Sequence, residues 1–354
     1  MEANRSTDDI IAALRRSQEK NESLGPELQD LSGVKFTDAD LSELDLTGCN
    51  FSGCEMSRCN LSGVRCPSAN FDGATLYKAK LDDAEFLGTT FRNANLSECS
   101  AIKTGFGMTD LEGANYFNSR LEDSSFVDAQ VRNADFRAAK MARSRFLEAD
   151  LEQSDFSQAD LTDVDFRETN IDGADFSRTI LNGAHLRDVR NYKQAIWIGA
   201  DIRDIDFSGA YLVRQHIIDE NFLHEFRNQD KVHSALYYVW KLTSDCGRST
   251  VRWGLFLAIN VLLFAGIYWG IDQWMPPAEP LASHLTKIGE EGLPGGFIPY
   301  IYYSVVTFTT LGYGDVSPQT VVGQIILIIH ISIGYLGLGA LLSILATKFA
   351  LRGN

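Results

Sequence analysis

The residues of this chain best suited to chemistry lie near its C-terminal end, in the run Thr307-Phe308-Thr309-Thr310-Leu311-Gly312-Tyr313-Gly314-Asp315. Backbone carbonyl oxygens can replace the water shell of a permeating cation if successive residues aim them at one axis. Such a run alternates in backbone hand, and each left-handed position favours glycine. Gly312 and Gly314 stand at alternate positions. Thr310 can add its hydroxyl oxygen at the inner end. Tyr313 then points away from the axis and packs against neighbouring aromatics. No enzyme site competes for attention. The six histidines are scattered, no Ser/His/Asp set or Gly-rich phosphate loop is present, and His185 falls at an outward-facing position.

A carbonyl row needs elements that hold it across a barrier. Val251–Ile271 and Val321–Phe349 are apolar and long enough to cross a bilayer as helices. Between them Phe297–Thr309 is apolar but only 13 residues long, which suits a re-entrant pore helix and not a span. Lys241, Arg248 and Arg252 precede the first span, and Lys348 and Arg352 end the second. The loop from Asp272 to Thr320 holds Lys287 against Asp272, Glu279, Glu290, Glu291 and Asp315. The positive-inside rule therefore puts both termini in the cytoplasm and this loop outside. No helix repeats Arg every third residue, so no voltage sensor is evident.

This stretch, 251–354, resembles the potassium-channel pore, whose signature is T-x-x-T-x-G-Y-G. The resemblance implies an all-α pore domain with two spans, potassium as the permeant ion, and no cofactor or further metal. It assigns the selectivity filter to Thr310, Leu311, Gly312, Tyr313 and Gly314, and the acid of the outer mouth to Asp315. Tyr302 and Tyr303, with Thr307, fall where the family supports its filter. One chain supplies one filter strand, so the family's ring of four implies a homotetramer with cyclic symmetry. Leu311 replaces the family's commoner Val or Ile, and Val306 stands where some members pair a carboxylate with the outer acid. The resemblance further marks Gly334, about twenty residues past the filter, as a bend in the second span, with Gly337 and Gly339 as substitutes. Close helix packing by small residues is the alternative. Leu338, Leu341, Leu342 and Leu345 are candidates for an inner constriction that closes by dewetting. Asn260 and His330 are polar residues inside the spans, read either as a hydrogen bond between helices or, for His330, as a proton sensor.

The rest of the chain has a different grammar. From Phe36 to Leu186 a period of five holds: of 31 positions, 29 are bulky and apolar, the exceptions being Cys66 and Ala101. Two residues before each lies a small or β-branched residue in 30 of 31 cases, Leu44 excepted. Asp or Asn sits between the two in about half the repeats. A period of five fits neither helix nor strand. It requires a chain that turns a corner every five residues, with one large and one small side chain pointing inward and turn-forming residues outside. The solution is a solenoid whose coils stack at about 4.8 Å. This pattern resembles the pentapeptide-repeat family, motif A-(D/N)-L-x-x, and implies a right-handed quadrilateral β-helix of about eight coils, roughly 37 Å long at strand spacing. After Leu186 the phase slips: Trp197, Ile202, Phe207 and Leu212 lie one residue off, which places a bulge or loop near Arg190–Gln194.

The expected domains are a helical cap at 1–33, the cytosolic repeat solenoid at 34–212, an amphipathic helical linker at 213–250 and the pore at 251–354, with spans 251–271 and 321–349, pore helix 297–309 and filter 310–314. In the cap, Ile10, Ile11 and Leu14 recur at helical spacing over Asp8–Ser17. In the linker, Ile218, Phe222, Phe226, Val232, Leu236 and Trp240 form a stripe. It reads either as a core-facing face or, with Tyr237 and Tyr238, as a membrane-interface belt. Cys246-Gly247-Arg248-Ser249 breaks the helix before the membrane. Cys49, Cys54, Cys59 and Cys99 occupy the small repeat positions, and their spacing matches no common zinc pattern.

Charge divides the same way. Residues 1–212 hold 37 acidic and 23 basic side chains, a net −14, and the remainder is near neutral at −1. That balance argues against a phosphate-neutralising nucleic-acid binder. The rival reading of the acidic solenoid is a membrane-anchored mimic of the DNA duplex that binds a DNA-processing protein. The expected partners are other copies of the chain, the lipid of a bacterial inner membrane, and a cytosolic protein or ligand on the solenoid.

Overall fold

The computed structural model describes residues 6–20, 22–274, 285–287, 296–318 and 320–350. The chain forms two compact units, Met1–Glu225 and Phe226–Asn354.

In the first unit the chain closes one coil every twenty residues. Parallel bridges pair each coil with the next, from Asp30↔Asn50 to Asn170↔Arg190. The coils thus begin at Asp30, four residues before the expected start. The corners share one construction. From Phe36 to Leu186, at all but Leu41, Ala101 and Leu186, the inward residue's carbonyl accepts from the amide three residues on, as in Ala39 N to Phe36 O at 3.0 Å. The third residue of each turn has φ near +60°, as in a type II turn. Gly48, Gly53 and Gly63 take this position freely, but Met108 and Ala138 also occupy it. A left-handed non-glycine residue costs about 1–2 kcal/mol, and the ladder of backbone bonds on both sides holds it there. The Asp or Asn at the bridge position secures the turn. Asp45 Oδ1, for example, accepts from Thr47 N at 3.1 Å and from Thr47 Oγ1 at 2.6 Å.

The interior is a set of ring columns. Phe86, Phe106, Phe126, Phe146 and Phe166 stack in successive coils, with centroids 4.6–5.5 Å apart. Tyr116, Phe136, Phe156, Phe176 and Trp197 form a second column, edge-on to the first. The strand spacing of the coils is also a good aromatic stacking distance, so one period serves both interactions. Cys49, Cys54, Cys59 and Cys99 are buried free thiols at the small positions, and the Cys54 sulfur lies 3.0 Å from Leu31 O.

After Arg190 the bridge offset grows by one, to Asp175↔Ile196. The extra residue sits in the turn Asn191–Ala195, where Trp197 Nε1 donates to Tyr192 O at 3.1 Å. The extrapolated repeat position Leu212 requires correction: it lies in α3 (Tyr211–Asn228) and is 65% exposed. The helix takes over the backbone bonds at Ala210, which accepts from Arg214 N, and the five-residue register ends there. Before the first coil, α1 (Thr7–Glu19) buries Ile10 and Leu14 and is held by a reciprocal Ser6–Asp9 capping box. The short α2 (Pro26–Gln29) follows. The buried residues of α3 are Val213 and Ile217, whereas Ile218 and Phe222 of the expected stripe are exposed.

The second unit starts with α4 (Lys231–Ser244), capped by Asp230. Left-handed Asp245, Cys246 and Gly247 end it. Then come α5 (Thr250–Trp274), the strand β1 (Leu285–Lys287), α6 (Ile298–Phe308), the strand β2 (Val316–Pro318) and α7 (Val321–Ala350). Thr250–Gln273 and Val321–Ala346 are long and apolar enough to cross a membrane. Their apolar side chains are largely unburied by the chain itself, the pattern of helices whose solvent is lipid. Two side chains tie α6 to α5: Tyr300 OH donates to Asp272 Oδ2 at 3.0 Å, and Ser304 Oγ donates to Val261 O at 2.7 Å. The strands pair antiparallel, Thr286 opposite Ser317.

Candidate functional site: an ion-conducting pore

Thr309 caps α6, and its amide and hydroxyl both donate to Val305 O, at 2.9 and 2.7 Å. The chain then alternates in hand. Thr310 has φ +56°, Gly312 +52° and Gly314 +74°, while Leu311 and Tyr313 are not left-handed. The two glycines carry the conformation without strain. Thr310 is held in it by local bonds: its amide donates to Thr307 O at 3.0 Å and its hydroxyl to Thr309 O at 2.7 Å. Leu311 N reaches back to Val306 O at 3.1 Å. In the single chain Leu311 and Tyr313 are more than half exposed. Val306 and Thr307 are buried behind the run.

The two tyrosines face different ways. Tyr303 is buried and meets Tyr268 of α5 edge-on at 5.0 Å. Tyr302 OH donates to Asp315 Oδ2 at 2.9 Å and so links α6 to the far end of the glycine run. Val306 stands where some members of the resembled family pair a carboxylate with the outer acid, and here a phenol partners Asp315 instead.

α7 runs unbroken through its glycines. At Gly334 an added Cβ would lie 2.4 Å from Phe308 O, so the last turn of α6 rests on the α7 backbone. Gly337 is nearly as close to Leu257 Cδ2, at 2.9 Å, and its carbonyl accepts from Trp253 Nε1 at 3.0 Å. Gly339 faces open space. Leu338, Leu341 and Leu345 are half-buried and Leu342 is exposed. His330 is fully buried: its ring stacks on Phe264 at 4.0 Å, and Nδ1 lies 3.2 Å from the Tyr268 hydroxyl. Its Nε2 and the Oδ1 of Asn260 have no hydrogen-bond partner among the described residues. Phe264, Tyr268, Trp253 and Phe308 are thus parts of the site that spacing alone did not single out.

Residues 256–350 match the sequence profile of the ion-channel family. Residues 30–65, 69–106 and 80–115 match pentapeptide repeats, and 99–176 match a further pentapeptide-repeat region. The chain joins pentapeptide repeats to an ion-channel pore domain. Over 73 residues, 20% of its length, the chain is 42% identical to the mouse voltage-gated potassium channel KCNC1. Over 129 residues it is 24% identical to the two-pore potassium channel 4 of Arabidopsis thaliana. The chain spans 13% of the length of the mouse relative and 39% of the plant one. Among solved structures the repeat domain is similar to HetL from the cyanobacterium Nostoc, at 18% identity and a TM-score of 0.25 over 56% of this chain and 94% of that one. It is also similar to QnrB1, a plasmid-mediated fluoroquinolone resistance protein, at 17% identity and a TM-score of 0.35 over 53% and 96%.

Proposed function

We propose that the chain assembles as a homotetramer in a cell membrane and conducts potassium through a filter made by Thr310–Gly314, with both termini in the cytoplasm. The observation that carries this reading is the alternation of hand at Thr310, Gly312 and Gly314. Alternation turns consecutive carbonyls toward one side, and one such strand from each of four chains makes stacked rings of oxygens around an axis. The row starts at the end of an 11-residue helix packed against two longer apolar helices. α6 on this reading is the re-entrant pore helix. Its C-terminal carbonyls point at the inner end of the row, where a partial negative charge favours a cation. Leu311 and Tyr313, exposed in one chain, face neighbouring chains. The repeat domain then serves assembly, partner binding or gating on the cytosolic side.

The test is potassium uptake into liposomes by purified full-length protein, together with its mass in mild detergent. Potassium uptake well above sodium uptake, a tetrameric mass, and loss of uptake in Gly312→Ala support the reading. A monomer under conditions that preserve uptake, or uptake indifferent to the substitution, overturns it.

A further inference from the structure

The helix α4 is built inside out for a soluble linker. Toward the protein it presents His233, Ser234 and Trp240, which are half-buried, and in its last turn Thr243 and Ser244, which are buried. Away from it, at the spacing of one helical face, it presents Val232, Leu236, Val239 and Leu242, exposed by 66, 52, 59 and 82%. Tyr238 flanks this face and is also exposed. A helix folded against water would turn the other way, because each of these side chains gains from leaving water. The face therefore calls for an apolar neighbour, and none of the described residues supplies one.

We infer that α4 lies along the surface of the membrane, its apolar face in the acyl boundary and its cations among anionic lipid headgroups. Three observations point to lipid. First, only five residues, Asp245–Ser249, separate α4 from α5, so the C-terminal end of α4 lies at the membrane border wherever α5 enters. Second, residues 226–252 hold Arg227, Lys231, Lys241, Arg248 and Arg252 against Asp230 and Asp245. This cationic stretch follows a repeat domain that is strongly acidic. Third, the aromatic residues sit with the cations as they do at headgroup depth. The Arg227 guanidinium lies 5.7 Å from the Tyr237 ring and 5.5 Å from Tyr238, and Lys241 Nζ lies 5.8 Å from Tyr237. An apolar face with a basic rim and interfacial rings is the composition of a helix that lies in the membrane plane. The inference rests on α5 crossing the membrane and not on which ion the pore conducts.

The test uses full-length protein in a Cys246→Ser background, spin-labelled singly at Leu236→Cys, Val239→Cys, Ser234→Cys or Ile259→Cys. Each is reconstituted in vesicles of mixed phosphatidylcholine and phosphatidylglycerol. Collision rates with oxygen, which concentrates in lipid, and with a water-soluble nickel chelate give each label's depth. The inference predicts that oxygen dominates at positions 236 and 239, as at 259 in the middle of α5, and that position 234 lacks this preference. It also predicts a loss of oxygen preference at 236 and 239 when phosphatidylglycerol is omitted and salt is raised. If 259 reports lipid while 236 and 239 report water, the inference fails and the membrane reading stands. If 236 and 239 are reached by neither reagent, another copy of the chain covers the face, and the inference fails again. If 259 reports water, the membrane reading itself fails.

Discussion

Gly334 separates two uses of a glycine in a spanning helix, a bend and a close contact. The structure gives the contact a magnitude. A Cβ at this position would lie 2.4 Å from Phe308 O, about 1 Å inside ordinary contact distance. The obstacle is a backbone carbonyl at the end of α6, which cannot rotate away as a side chain would. Gly334→Ala therefore forces α6 and α7 apart. Such overpacking costs about 1–3 kcal/mol, against a gain of about 1 kcal/mol from replacing glycine inside a helix. Gly339→Ala meets nothing within 4 Å and should show the helix gain alone. The account predicts that Gly339→Ala is neutral to stabilising and Gly334→Ala destabilising. The difference between them should be about 1–3 kcal/mol, the size of the overpacking cost. Thermal melts of both variants in detergent, followed by near-ultraviolet circular dichroism, measure this. Equal melting points, with altered open probability only in Gly334→Ala, would refute the packing argument and favour a bend.

Further expectations follow from single contacts. Tyr302→Phe removes the donor to Asp315 Oδ2 and leaves the end of the glycine row less firmly tied to α6. Mean open time in single-channel records should shorten, and an unchanged open time would show that the bond does not hold the mouth. In the repeat domain, burial pushes the thiols of Cys49 and Cys54 up to about 11 and that of Cys59 to about 12, from an ordinary 9.0. Raised values mean that the folded state holds these protons more tightly than the unfolded chain does. Their contribution to stability is therefore whole below pH 9 and is lost as pH rises toward 12. Denaturation midpoints measured between these limits should fall, and at pH 8 a maleimide should label Cys246 well before any of the three.

Much of this structure is written in residue spacing. The period from Phe36 to Leu186 is legible because every coil buries one large and one small side chain, and a stacked core tolerates no slip. The corner geometry is not legible in residue type. Met108 and Ala138 stand in left-handed positions that sequence preference assigns to glycine or asparagine, and the ladder overrides that preference. Leu212 misled because a helix start at Tyr211 replaces the repeat without breaking the apolar spacing. In the pore domain the glycine alternation is readable because few residues take a left-handed backbone. The link from Tyr302 to Asp315 is not, since it depends on how α6 is turned. The linker stripe showed its period, yet period alone does not say whether the apolar face is covered. The exposure of Val232, Leu236, Val239 and Leu242 shows that the described residues of the chain leave it open.

The central claim is that Thr310–Gly314 selects potassium, and the most direct measurement is the reversal potential of purified full-length protein in a planar bilayer. With potassium on one side and sodium on the other, the account predicts a large reversal potential of the sign that potassium permeation sets. It also predicts that this potential collapses in Gly312→Ala wherever that variant still conducts. A reversal potential near zero for the unaltered protein, with clear current, would contradict the account.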